Sequence, residues 1–269
     1  MTSSLTRPLI VSLGFGAMAR SLAASLAAGR SGLRLSGFLL PVERPADTPE
    51  GMTRWTSVDD LIAANPDLVV ECATHEAVRE TVPALLAAGI DVVIVSIGAL
   101  GDPATVAKIE AAARRGGARA TAVSGAIGGL DVLRSAALAG LDSVTYVGRK
   151  PPAAWTGTPA ETILDLATLA EATVFYEGDA VEAARDYPKN TNVTAAVALA
   201  GVGFEKTRVR LIADPAAPGN THELEARGAF GDFRIVLNNK PLPENPKTSW
   251  LAALSVEQAV MRRFSFLEI

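Results

Sequence analysis

The chain has 269 residues, 49% of them hydrophobic and 20% charged, with a net charge of −4 at pH 7. That length allows one large or two modest domains with real cores, and the composition excludes a disordered polar chain. The acidic balance and the lack of long blocks of like charge weigh against a nucleic-acid surface; charged, Gly or Pro positions interrupt every apolar run short of the roughly 18 residues of a membrane span.

Met1 to Arg7 carry no apolar signal core, so a cytoplasmic location is the expectation. The next stretch runs as strand, glycine turn and helix: Leu9-Ile10-Val11-Ser12-Leu13, then Gly14-Phe15-Gly16-Ala17-Met18-Ala19, then an Ala- and Leu-rich segment. A dinucleotide pyrophosphate needs backbone that it can approach closely, which glycine permits, and a helix N-terminus whose N–H groups and dipole favour an anion. The motif is G-x-G-x-x-A, and Ala19 is small enough for close helix–strand packing. Gly14, Gly16, Ala17 and Met18 are therefore candidate cofactor contacts.

Apolar β-rich runs at residues 9–13, 33–40, 68–71, 92–96 and 119–123 alternate with helical stretches at 17–28, 58–64, 75–88 and 103–115. Near-continuous apolar strands imply burial on both faces, so residues 1–123 are expected to form a Rossmann-type, doubly wound parallel sheet, an α/β fold. In that fold an acid after the second strand takes the ribose hydroxyls, or an arginine accepts a 2′-phosphate. Here the stretch reads Phe38-Leu39-Leu40-Pro41-Val42-Glu43-Arg44, with no acid at the strand end and opposite charges after it, which leaves NAD or NADP open. Two further loops at strand ends, Cys72-Ala73-Thr74-His75 and Ser96-Ile97-Gly98-Ala99-Leu100, lie where ligands of open sheets bind, and Ala73 joins the cofactor candidates. Cys72 is the single cysteine, so no intrachain disulfide is possible; its place after an apolar strand suits a structural thiol. With two histidines and one cysteine, no metal site is expected.

After Ser124-Gly125-Ala126-Ile127-Gly128-Gly129 the texture changes. Alternating runs at 143–149, 172–177, 207–213, 221–226 and 230–237 predict antiparallel strands with one wet face, and helices are expected at 130–139, 159–170, 180–186 and 191–200. Residues 124–245 thus form a second, α+β domain, and a helix over 246–263, begun by a proline and a Thr/Ser cap, closes the chain. By fold-level analogy, residues 246–269 rejoin the first domain. The segment Tyr187-Pro188-Lys189-Asn190-Thr191-Asn192-Val193-Thr194 gathers amide, hydroxyl and cationic donors where a helix begins, which suits an anion or a carboxamide and equally an N-cap. His222 stands at the start of a strand; an imidazole titrating near neutral pH suits a proton shuttle in amine oxidation, and a capped or surface histidine fits the pattern equally.

Taken together, Gly14-Phe15-Gly16-Ala17-Met18-Ala19, Glu71-Cys72-Ala73, Ser124-Gly125-Ala126-Ile127-Gly128-Gly129-Leu130-Asp131, Pro188-Lys189-Asn190-Thr191-Asn192-Val193, Asn220-Thr221-His222 and Asn245-Pro246-Lys247-Thr248-Ser249 resemble the L-aspartate dehydrogenase family over nearly the whole chain. The resemblance implies NAD(P)-dependent oxidation of L-aspartate to iminoaspartate, which hydrolyses to oxaloacetate and ammonia or feeds NAD biosynthesis through quinolinate. It also implies a homodimer, with residues 124–245 as the substrate and dimerisation domain. On the family's pattern His222 is the active-site histidine, and Ala126 and Asn192 contact the cofactor. Two substrate carboxylates ask for cationic or N–H partners; Arg149 and Lys150 are candidates, and Lys189, Asn190 and Lys247 are favoured. Rival readings keep the fold with another substrate, as in homoserine dehydrogenase or dihydrodipicolinate reductase, or keep the nucleotide domain as a sensor without turnover. His222 and the Asn190-Thr191-Asn192 segment weigh against a sensor, which needs no proton shuttle.

Overall fold

The computed structural model describes residues 7–29, 32–44, 47–187, 191–243 and 245–267, and the chain divides into two compact units, 1–123 with 253–269, and 124–252. In the first unit β1 (Ile10–Leu13), β2 (Leu35–Leu39), β3 (Thr53–Trp55), β4 (Leu68–Glu71), β5 (Val92–Ile94) and β6 (Ala120–Ala122) pair in parallel in the order β3-β2-β1-β4-β5-β6. The connecting helices are α1 (Ala17–Ala27), α2 (Val58–Ala63), α3 (His75–Ala87) and α4 (Pro103–Gly116). Every residue of β1 and β4 is buried, as the nearly continuous apolar runs require of strands covered on both faces. Val11, Leu13, Val69, Val82, Leu85 and Ile94 anchor the core between sheet and helices.

The strand order reverses between β1 and β4, so the chain leaves these two neighbours in opposite directions and opens a crevice beyond their carboxyl ends. α2, α3 and α4 begin on side-chain caps, from Ser57, Thr74 and Asp102, whereas α1 begins at Gly16 with no side-chain cap and no acid in its first turn. β3 was not expected; three residues are too few to show a period.

The second unit holds α5 (Leu130–Ala137), β7 (Leu141–Lys150), β8 (Thr173–Asp179), α6 (Ala180–Asp186), α7 (Thr191–Ala200), β9 (Thr207–Ala213), β10 (Asn220–Gly228), β11 (Gly231–Asn239) and a two-stranded ribbon of β12 (Pro241–Leu242) and β13 (Asn245–Ser249). Its main sheet runs β11-β10-β7-β9-β8. β7 and β9 pair in parallel, which corrects the expectation of a wholly antiparallel sheet; the β8, α6 and α7 segment supplies the crossover such a pair needs.

Two helix expectations also change. Of 159–170 only the short 3-10 turn Pro159–Thr162 forms, because Asp165 turns its carboxylate onto the Ala167 N–H at 3.1 Å and closes a local turn instead. The closing helix α8 (Trp250–Phe264) begins later than Pro246, because Asn245–Ser249 is drawn into pairing with Pro241–Leu242. Within the first unit α8 buries Val256 and Val260, its Glu257 accepts from the Ser25 hydroxyl, and Arg263 meets Asp91 at 2.6 Å. No helix among the described residues is long and apolar enough to cross a membrane.

Candidate active site

In the first unit the crevice is a cavity of about 860 Å³ lined by Gly14 and Gly16 after β1, Leu40 and Arg44 after β2, and Ala73 and Thr74 after β4. Gly14 has φ +77°, a conformation side chains resist, and a Cβ there would press on Ala73 Cβ at 3.3 Å; a Cβ on Gly16 would meet nothing within 4 Å, so that backbone is open to a ligand. The glycine turn is held from both sides. Phe15 stacks on the buried Phe38 of β2 with centroids 4.4 Å apart, and Arg20 Nη1 donates to the Phe15 carbonyl at 3.0 Å.

The loop after β4 is set by Glu71, a wholly buried carboxylate that accepts from the N–H groups of Ala73 (2.8 Å), Val95 (3.2 Å) and Ser96 (2.8 Å) and from the Ser96 hydroxyl (3.0 Å). It ties the end of β4 to the end of β5 and fixes the wall that carries Ala73. Cys72 lines the same cavity; burial and the neighbouring Glu71 charge push its thiol above the usual range, which suits a structural thiol. Beyond β2, Arg54 of the short strand β3 donates to the carbonyls of Leu40 (3.3 Å), Pro41 (2.8 Å) and Arg44 (2.9 Å), which stiffens the segment where ribose specificity is decided. Arg20, Arg44 and Asp47 stand in the cavity wall, so both charge signs are offered there.

These features fit a dinucleotide: an uncapped helix N-terminus, glycine backbone open to close approach, and a cavity at the switch point. Gly14, Gly16 and Ala73 line the cavity, while Ala17 and Met18 form the start of α1.

In the second unit His222 lies in β10, 3% exposed, directly opposite Gly148 of β7. Its Nδ1 shares a 2.9 Å hydrogen bond with the hydroxyl of Tyr146, itself buried, and the two rings lie nearly parallel, 14° apart. Gly148 makes this contact possible: a Cβ there would come within 2.8 Å of the Tyr146 hydroxyl as it crosses toward His222. His222 Nε2 is buried and has no hydrogen-bond partner among the described residues. Burial, with the Lys150 charge adding, draws the imidazole pKa down from 6.5 to about 3, while burial pushes the Tyr146 phenol up. Both groups are therefore neutral at pH 7, which corrects the expectation of a histidine titrating near neutrality. An unpartnered buried nitrogen is costly unless a ligand meets it.

Ala126 is buried, and its carbonyl accepts from Asn239 Nδ2 at 2.8 Å; Asn192 is exposed on the first turn of α7. Lys189 and Asn190 lie outside the described residues, as does the side chain of Lys247. Sequence reasoning missed Tyr146, Glu71 and Arg54. A lone acid ending an apolar strand was the available signal for Glu71; Tyr146 and Arg54 left none.

The doubly wound sheet with its nucleotide cradle, joined in one chain to a second mixed-sheet unit, defines an NAD(P)-dependent oxidoreductase. The family model for the C-terminal part of aspartate dehydrogenase matches residues 131–263, and that for the NAD-binding domain of homoserine dehydrogenase matches residues 14–122. An L-aspartate dehydrogenase of Cupriavidus taiwanensis is 53% identical over 208 residues, 77% of each chain. One from Polaromonas sp. is 44% identical over 259 residues, 94% of this chain and 97% of its own. The crystal structure of aspartate dehydrogenase from Thermotoga maritima superposes with a TM-score of 0.77 at 27% identity, covering 98% of this chain and 100% of that one. This chain belongs to the L-aspartate dehydrogenase family. An archaeal homoserine dehydrogenase in complex with NADPH, 13% identical with a TM-score of 0.60 over 96% of this chain and 98% of its own, shares the fold alone.

Proposed function

We propose that the chain oxidises L-aspartate to iminoaspartate, released as oxaloacetate and ammonia or passed on toward NAD biosynthesis, with His222 as the catalytic residue that touches the substrate amine. The observation that carries this reading is the buried Nε2 of His222, which has no partner among the described residues and is aimed by the Tyr146 bond at Nδ1. In the tautomer where Nδ1–H donates to the phenol oxygen, Nε2 presents a lone pair to an amine N–H. Bound NAD(P)+ supplies the hydride acceptor. Gly14, Gly16, Ala17 and Met18 hold its pyrophosphate by backbone and helix dipole, Ala73 bounds the cavity beside it, and Ala126 and Asn192 are further cofactor contacts on the family's pattern. Lys189, Asn190 and Lys247 are assigned to the substrate on charge and hydrogen-bonding capacity alone.

The acid–base logic follows from burial. In the free protein the imidazolium is disfavoured by desolvation and by Lys150. The two carboxylates of a bound dicarboxylic amino acid offset the second of these causes, because negative charge favours the protonated ring. The histidine thus gains basicity when the substrate arrives, takes a proton from the substrate nitrogen, and can pass it to the nitrogen that leaves as ammonia when water attacks the imine.

Residues 1–123 with the closing helix are assigned to the nucleotide and residues 124–245 to the substrate and to dimer formation. A homodimer and a cytoplasmic location complete the reading, the latter supported by the lone structural thiol of Cys72. The test is a steady-state assay of L-aspartate, D-aspartate and L-glutamate against both nucleotides, for the natural chain and His222→Ala. Turnover is expected with L-aspartate, and His222→Ala is expected to lose on the order of 100-fold or more in kcat. A variant with near-normal kcat sinks the role of His222.

A further inference from the structure

The second unit holds a half-buried cation, Lys150, to which the scheme above gives no contact with the substrate. Side chains of a strand alternate between faces, so Tyr146, Gly148 and Lys150 of β7 share the face on which His222 stands, and Arg149 points to the other. Tyr146 and Lys150 are thus the two diagonal neighbours of His222, on opposite sides of it, at spacings of about 7–8 Å. One diagonal is filled by the phenol that grips Nδ1. The other places an ammonium on the same face.

Arg149, the adjacent cation, is engaged elsewhere: its Nη1 lies 2.8 Å from the Asp214 carboxylate. Lys150 lays its ammonium 5.1 Å from the centre of the Trp155 ring. That indole is wholly buried and is pinned by its own Nε1–H, which donates to the Ile212 carbonyl at 3.2 Å, and by edge contact with Phe175. The lysine stem is therefore held against a fixed aromatic face rather than left to wander in solvent. Burial draws the Lys150 pKa down to about 8, so desolvation there outweighs whatever negative charge the protein supplies. An ammonium already stripped of water gains more from a carboxylate than a hydrated one does, because part of the desolvation cost is met before the ligand arrives.

We propose that Lys150 is a substrate-binding residue whose ammonium takes one carboxylate of a dicarboxylic amino acid and so sets the amine beside His222 Nε2. The assignment rests on the reading of L-aspartate oxidation given above. It also gives the lysine beside the imidazole a use: its charge disfavours the protonated ring in the free protein, and a bound carboxylate offsets that charge.

The test compares the natural chain with Lys150→Met, Lys150→Gln and Lys150→Arg in L-aspartate oxidation, with succinate as a competitive inhibitor that has both carboxylates and no amine. For Lys150→Met the KM for L-aspartate and the inhibition constant of succinate are each expected to rise by about 100-fold, as for loss of one partner of a desolvated charge pair. KM for the nucleotide should stay within about threefold, and Lys150→Arg should keep both substrate constants within about tenfold by preserving the charge. Thermal melting verifies that each variant is folded; if Lys150→Met is not, Lys150→Gln carries the comparison. Substrate and succinate constants within about threefold of the natural chain would overturn the proposal. So would an unchanged KM with loss of the alkaline limb of the kcat profile, which would make Lys150 a base rather than an anchor; the groups titrating on its face are Tyr146 and His222, with the Arg149–Asp214 pair on the other. If L-aspartate is not turned over but Lys150→Met still weakens succinate binding to the nucleotide-loaded protein, the substrate reading fails and the carboxylate site stands.

Discussion

Replacing His222 by glutamine should flatten the acid side of the protein's stability curve. The ring is 3% exposed and its pKa is held at about 3, against 6.5 for a hydrated imidazole. Above about pH 6.5 neither the folded nor the unfolded chain protonates it, so the neutral ring adds no pH dependence there. As pH falls from about 6.5 toward 3 the unfolded chain takes up a proton that the folded chain refuses, and stability falls by up to about 1.4 kcal/mol per pH unit. Between pH 7 and pH 5 this one group should remove roughly 2 kcal/mol, a large share of the about 5–15 kcal/mol typical of a folded domain. The assay is urea unfolding followed by circular dichroism at both pH values, for the natural chain and His222→Gln. Glutamine keeps a hydrogen-bonding partner for Tyr146 and does not titrate. Carboxylates affect both proteins alike, so the difference between the two pH effects isolates the histidine, and about 2 kcal/mol is expected. Removing the Lys150 charge should shrink the effect, since that charge is the second cause of the shift. An identical pH dependence in both proteins, to within about 0.5 kcal/mol, would refute the argument from burial.

Two further outcomes follow from the nucleotide unit. Glu71→Gln leaves an amide with one acceptor oxygen where a carboxylate met three N–H groups and a hydroxyl, so urea unfolding should show a loss of about 2–3 kcal/mol and KM for the nucleotide should rise; unchanged values for both would show that the clamp is idle. Arg44→Ser should raise KM for NADP+ by about tenfold and leave that for NAD+ within about twofold, as loss of one exposed phosphate contact predicts, whereas Arg54→Met should raise both together by loosening the Leu40–Arg44 carbonyls; kinetics with each nucleotide decide between these patterns.

The strand and helix alternation of the nucleotide unit was legible because those strands are buried on both faces and read as apolar runs; the structure adds the side-chain caps, from Ser57, Thr74 and Asp102, that begin three of its helices. The glycine turn was legible for a different reason: few other residues permit the φ of Gly14 with backbone so near Ala73. What stayed hidden depended on partners distant in the chain. β3 is visible only once its pairing with β2 exists, and the loss of a helical start at Pro246 depends on pairing with Pro241–Leu242. Tyr146 reaches His222 across 76 positions, through a gap that exists because Gly148 lacks a side chain.

The histidine shows most clearly how residue type and environment divide the work. Titration of free imidazole near neutral pH made His222 a candidate on equal terms with a structural histidine, the family resemblance decided for it, and the fold removes that property by burial and by a nearby lysine. A base that is weak in the free protein has a use. Deprotonating an α-ammonium group is productive only when the amine is about to lose hydride, and a ring that gains basicity when substrate carboxylates offset the lysine charge ties proton transfer to occupancy by the right substrate. A monocarboxylic amino acid brings less negative charge, raises the histidine's pKa less, and leaves the Lys150 ammonium without its carboxylate. Discrimination against it should therefore appear in kcat as well as in KM, because the same charge that binds the substrate also activates the base.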